Sequence, residues 1–307
     1  MIPPYCHIID VLRRFDPTLT VSELGDDTSS FVGPDGVQKV EARIQEAGDE
    51  FENKTGHAMR ERRVGAPGRP DTYEQHGIKR HTFRSGAKVW LEHRHVLPID
   101  PAEGDAIEVR VGRDNWRDIT GNEGPRWNAD YVDGWIRLHS RWQATNRWQK
   151  DLREHNIRIT YRYGSLGGDR GRGGETVLSD DVDDFSAPTV ENPGRLPPRG
   201  TVLVGGAEDG EYVQYGGIDY NTGQLERFSR GERATSASAR DGGTLVHYCP
   251  LSVRSAVADK TAVELLTYDD FTNQIGESDN ISPSNKVEGW NENFEKALQK
   301  HSEARSM

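Results

Sequence analysis

Lysine, cysteine and methionine are scarce in this chain of 307 residues, which has nine lysines, two cysteines and three methionines. Cys6 and Cys249 lie far apart, so no disulfide framework or C-x-x-C pair can be read, and a reducing interior is the default. No apolar run approaches the roughly 18 residues that span a bilayer, which excludes a membrane helix. The opening "MIPPYCHIID" lacks the basic and apolar regions of a secretory signal. Basic charge is short as well: 39 Lys and Arg face 50 Asp and Glu, giving a formal net charge of −11. That balance argues against a protein that grips nucleic acid through a basic patch. Catalytic fingerprints are missing too. There is no G-x-S-x-G, no H-E-x-x-H and no nucleotide motif, and "GGDRGRGG" lacks the Lys-Ser/Thr of a phosphate loop. Neither an enzyme nor a cofactor is expected.

What is present is acidic and arginine-rich. About 30 of the basic residues are arginine. An acidic surface poor in lysine suits a high-salt cytoplasm, where salt screens self-repulsion; an ordinary acidic protein with Arg-rich codon usage is the plainer reading. Mean hydropathy is −0.82, but the apolar residues are grouped and periodic, which predicts folded structure.

The spacing predicts a short helix over 5–15, with Ile8, Ile9, Leu12 and Phe15 on one face and Pro17 as its stop. A second helix is expected over 36–55, with Asp35 as N-cap and Gln38 three residues on, as in a capping box. Val37, Val40, Ile44, Ala47 and Phe51 form one narrow stripe suited to packing against another helix or another subunit, and Gly56 supplies the left-handed stop. From Met59 to about Tyr163, alternating runs such as "AIEVRVG" and "IRITYRYG" predict an antiparallel layer of four or five strands. The stretch 141–156 reads as a polar connection. After a Gly/Asp/Pro-rich break, a small β-unit begins at Thr201. A helix over 251–267, with Val253, Val257, Val263, Leu265 and Leu266 inward, and a terminal helix with Trp290, Phe294 and Leu298 at i, i+4, i+8 complete the chain.

The fold class expected is therefore α+β. A small helical bundle (5–15, 36–55, 251–267) packs with an antiparallel β-layer, and an inserted all-β domain and a helical tail are added. The expected division is a discontinuous core of 1–170 and 250–284, an insertion over 171–249 and a docking tail over 285–307. The stripe of 36–55 should meet 251–267.

Few constellations carry chemistry. Glu92-His93-Arg94-His95 offers two histidines at i, i+2 of a strand, but surface histidines are the simpler reading. Cys6, His7, His247 and Cys249 could assemble a tetrahedral zinc site if the fold gathers them; buried free thiols are the alternative. Five tryptophans fall within 116–148 (Trp116, Trp127, Trp135, Trp142, Trp148), suiting core plus subunit interface more than sugar stacking. "SDDVDD" (179–184) lacks the Gly and Glu of a calcium loop and reads as a solvated acidic turn.

Taken in order, several motifs resemble the head–tail connector (adaptor) proteins of tailed double-stranded DNA viruses. These are the helix "VEARIQEAGDEFENKTG", the basic "MRERR" strand, the Pro-containing bend of "VWLEHRHVLPID" and the strand "IRITYRYG" ahead of C-terminal helices. The resemblance covers about 36–170 and 251–270. The 171–249 segment departs from compact members and resembles a β-module of viral tail and baseplate proteins. It carries Glu211, Tyr215, Arg230-Gly231, Thr235 and Gly243-Thr244-x-Val246, with Arg240 where a histidine is usual. The resemblance implies a virion protein of the neck, assembled in the host cytoplasm, here of a halophilic archaeon. It implies a homo-oligomeric ring, typically of twelve copies, that binds the portal protein, receives a stopper or tail-completion protein and lets genomic DNA slide through without sequence-specific binding or a membrane. Trp290, Phe294 and Leu298 would be the portal-docking residues. A tail or baseplate protein recognising a glycan or another tail component is the alternative.

Overall fold

The computed structural model describes residues 3–18, 36–77, 87–111, 115–139, 156–164, 174–268 and 283–302. The expected cap at Asp35, the connection at 141–155 with Trp142 and Trp148, and most of "GGDRGRGG" lie outside them. The fold is α+β, and the chain divides into two compact units: 61–165, and 1–60 with 166–307. This division differs from the expected one, because the helices group with the 171–249 segment while the first β-layer stands as its own unit.

In the 61–165 unit the expected single layer is two sheets. One contains β1 (Arg62–Val64), β2 (Glu74–His76), β4 (Ala106–Arg110), β5 (Trp116–Asp118) and β8 (Ile157–Tyr163) in the order β1-β8-β4-β5, with β2 also on β8. The other is β3 (Ala87–Trp90), β7 (Trp135–Leu138) and β6 (Trp127–Asp130) in the order β3-β7-β6. All pairs are antiparallel. Alternation sends Val89, Ile136 and Leu138 of one sheet and Ile107, Val109, Ile157 and Ile159 of the other into one shared core. A single layer could bury only one face, and the second sheet supplies the other wall.

The other unit contains α1 (Ile8–Phe15), α2 (Gly36–Thr55), α3 (Leu251–Tyr268) and α4 (Pro283–Ser302). His7 caps α1: its Nδ1 accepts from the Ile9 N–H at 3.0 Å, and Asp10 answers in a capping box. α2 ends as its sequence requires, with Gly56 at φ 65° and its N–H bonded to the Glu52 carbonyl at 2.7 Å. α3 is buried nearly all round, Ala256, Ala258, Thr261 and Ala262 included, and contacts each of the other three helices. A helix buried on nearly every side belongs in the middle of a bundle. The stripe Val40, Ile44, Ala47 and Phe51 packs there, with Val37 at its edge.

The same unit holds a five-stranded antiparallel sheet of β9 (Gly174–Val177), β10 (Gly200–Val204), β11 (Glu211–Tyr215), β14 (Ser229–Glu232) and β15 (Leu245–Tyr248), in the order β14-β11-β10-β15-β9. A ribbon of β12 (Gly217–Ile218) and β13 (Leu225–Glu226) accompanies it. This β-module shares the helices' core through Leu203, Ala207 and Tyr212. The N–H of Ile8 bonds to the Ala207 carbonyl at 3.0 Å, and the Tyr212 hydroxyl bonds to Asp10.

Candidate functional site

The residues expected to dock onto a partner sit in the chain's own bundle. Phe294 is 2% exposed and Leu298 6%, and Trp290 packs edge-on to Phe15 at 5.8 Å. Phe294 also meets Phe51 at 6.3 Å between ring centres, so the stripe of α2 and the tail are used on each other. Asn293 adds a hydrogen bond to the buried Asp259 on α3 at 3.1 Å, and Arg14 of α1 pairs with the same carboxylate at 2.6 Å.

Cys6, His7, His247 and Cys249 are all buried, but their ligand atoms are not gathered. His7 is committed to the α1 cap. The His247 ring faces the carbonyls of Pro4 and Met59 at 3.1 and 3.3 Å. Burial lowers its pKa to about 4, with Arg60 and Arg254 adding to the effect against those carbonyls. Burial also pushes both thiols up, Cys249 to about 12, so neither is a ready thiolate.

In the 61–165 unit a polar cluster does form, though not between His93 and His95. Residues 91–95 leave the strand, and His95 adopts a left-handed conformation at φ 52°, so the i, i+2 face is lost. Glu74 and His76 occupy one face of β2 instead, with the His76 Nε2 2.7 Å from the Glu74 Oε1. The Glu92 N–H donates to the same Oε1 at 3.0 Å, and the Tyr161 hydroxyl donates to Oε2. His93 lies 3.1 Å from the Tyr161 hydroxyl through Nδ1 and stacks on Tyr163 at 3.7 Å. Burial alone would raise the Glu74 pKa, but the hydrogen bonds from His76 and Tyr161 outweigh it and hold the carboxyl below the ordinary range. Burial and that carboxylate push the Tyr161 hydroxyl far up, so it stays a donor.

Glu74, Glu92 and His93 each offer a ligand atom within 4.8 Å of the others, the one such set among the described residues. Tetrahedral zinc needs its ligand atoms roughly 3.4 Å apart. A cation there would have to close the set and displace His76 from Glu74, whose oxygens are already satisfied. The cluster is therefore first a hydrogen-bonded brace between β2, β8 and the bend at 91–95. Nothing local in the sequence pairs Glu74 with Tyr161; only the register of β2 on β8 does.

The tryptophans divide. Trp127 is fully buried and donates from Nε1 to the Ile119 carbonyl at 3.0 Å. Trp116 carries the Arg158 guanidinium at 4.3 Å. Trp135 lies directly opposite Trp90 in the β3–β7 register, and the Lys88 ammonium sits 3.9 Å and 4.1 Å from the two rings. Trp90 is 56% exposed. The alternation in "KVWLE" carries the signal for this outward pair, since Val89 points inward.

Several module motif residues make contacts within the module. Arg230 forks onto the buried Glu211, with its Nε 3.1 and 3.2 Å from the two oxygens, and its Nη2 donates to the Ser238 carbonyl. Thr235 accepts the Tyr212 N–H at 2.9 Å, Tyr215 donates to the Pro197 carbonyl at 2.8 Å, and Arg240 pairs with Asp209 at 2.9 Å. In the acidic stretch 179–184, Asp181 and Asp183 accept backbone N–H groups. Compared with known proteins, the chain matches no family profile, and no curated protein is significantly similar to it.

Proposed function

We propose that the protein is a non-catalytic structural subunit of a viral neck, which forms a ring on the portal, prolongs the DNA channel and joins head to tail. The observation that carries the reading is the union of α2 with α3. α2 and α3 pack together although β segments separate them in the sequence, as expected of a decorated adaptor. The join after α2 supports it too. The Thr55-Gly56 stop is followed at once by Arg60, whose guanidinium folds back onto Glu52, Asp49 and Gln45. The charge of −11 suits a conduit along which DNA must slide without sticking. Scarce lysine and abundant carboxylates are the basis for assigning a halophilic archaeal host.

Because the α2 stripe and the α4 aromatics are consumed internally, ring and portal contacts fall to surfaces left open. One is the outer groove bordered by Lys54, Val287, Glu292, Glu295 and Leu298. The exposed Trp90–Lys88–Trp135 face favours a second reading, in which the protein recognises a glycan from the tail or baseplate.

Immunogold labelling of virions with antibody against 174–249, read by electron microscopy, separates the two. Gold at the neck is expected. Gold at the tail tip selects the second reading, and virions free of label overturn both.

A further inference from the structure

A pocket of about 300 Å³ opens among α1, the first turns of α3 and the loop after β14. Asp10, Arg13, Arg14, Arg233, Arg254 and Ser255 line it. Four arginines around one carboxylate run against the trend of a chain that carries −11.

The charges are unevenly satisfied. Arg14 is engaged by Asp259 at 2.6 Å and by the Ser255 hydroxyl at 2.6 Å. Arg233 reaches the Asp10 Oδ1 at 3.3 Å, and the Asp10 Oδ2 is taken by the Tyr212 hydroxyl. Arg254 is different. It is 5% exposed and lies over the Tyr212 ring at 4.7 Å. Its buried Nε has no hydrogen-bond partner, while its charge faces Asp10 and the Tyr212 hydroxyl, with which it shares a hydrogen bond. Arg13 stands exposed at the rim and is without an ion pair among the described residues. A buried guanidinium with an unused donor is costly unless something negative completes it. Leu251 begins α3, so the positive end of that helix lies at the same wall. Arg233 and Ala234 both hold left-handed backbone, at φ 59° and 63°, where the chain delivers Arg233 to the rim.

From this we infer that the pocket binds a phosphate group. Once Asp10 and Asp259 are counted, two positive charges remain uncompensated. Phosphate or a phosphate monoester carries about that charge at neutral pH, whereas one carboxylate would leave a charge unmatched. Planar guanidinium forks suit its oxygens, and a pocket of about 300 Å³ has room for such a group. The inference concerns this pocket alone and stands apart from the neck assignment.

The test is isothermal titration of the full chain with inorganic phosphate and, separately, with adenosine monophosphate, at fixed ionic strength against a chloride control. Saturable binding is expected, weakened by about tenfold or more in Arg254→Met. Should Arg254→Met fail to fold, the exposed Arg13→Gln reads the same loss in a folded protein. Tighter binding of the nucleotide assigns the source as an ester, and equal binding assigns free phosphate. Heats no larger than the chloride control, or phosphate binding unchanged in the folded variants, overturn the inference.

Discussion

Arg60 and Glu52 form an ion pair sealed from solvent: the guanidinium is fully buried, with its Nε 2.6 Å from the carboxylate Oε1. The Tyr5 hydroxyl donates to the same oxygen at 2.7 Å, and the Tyr5 ring lies 4.6 Å from the guanidinium. Removing Arg60 strands Glu52, and removing Glu52 leaves Arg60 only the half-exposed Asp49 as counter-charge, each costing up to about 3–5 kcal/mol. Glu52→Gln and Arg60→Met should each show that loss in urea denaturation. The double variant should recover part of it; strictly additive losses would mean the pair is not coupled.

Gly48 faces this network from α2. A Cβ there would meet the Tyr5 Cδ2 at 2.9 Å and the Arg60 Nη2 at 3.3 Å. Alanine normally favours a helix by about 1 kcal/mol over glycine. Here overpacking should win, and Gly48→Ala should destabilise by about 1–3 kcal/mol. A rise in melting temperature would show that the ring yields.

His247 makes stability depend on pH. Its imidazole is held to about 4 in the folded chain, against an ordinary value of 6.5. Below the ordinary value the unfolded chain takes up a proton that the folded chain refuses. Stability is therefore lost as pH falls from about 6.5 to about 4, by roughly 3 kcal/mol in full, and is unaffected by this group above that window. Between pH 7.5 and 4.5, wild type should lose more stability than His247→Gln. Parallel losses would assign the acid sensitivity elsewhere.

Phe294 distinguishes an internal helix from a docking tail. Buried against Phe51, it should cost about 3–5 kcal/mol on truncation to alanine, measured on the isolated chain. Unchanged stability with lost partner binding would return α4 to a docking role.

The acidic surface predicts a salt response. Raising KCl from about 0.1 M to about 2 M should raise the melting temperature by screening like charges. A fall would remove the basis for a high-salt host.

The helices were legible because their signals are local. The stripe of α2, the Gly56 stop and the apolar residues of α3 all sit where their spacing places them. The division into units was not, because Tyr212 commits the β-module to α1 through Asp10, and no pattern announces a contact across 202 residues. The same holds for the candidate site. The "EHRH" run carries visible ligand types, but the strand ends at Trp90 and His95 is left-handed, while His93 meets Tyr161, 68 residues on. Trp290, Phe294 and Leu298 share one apolar face of α4, as their i, i+4, i+8 spacing implies. What covers such a face is decided by the rest of the fold.

The bundle's closure also sets a timetable. α1 and α2 lie within the first 55 residues, while their central partner α3 begins at 251 and α4 ends at 302. During synthesis the first two helices emerge with their apolar stripes uncovered and wait for most of the chain. The 61–165 unit has every strand it needs well before then. It is free to fold before α3 is made, while the helical unit must wait for α3 and α4 with its loop-closure entropy still to overcome.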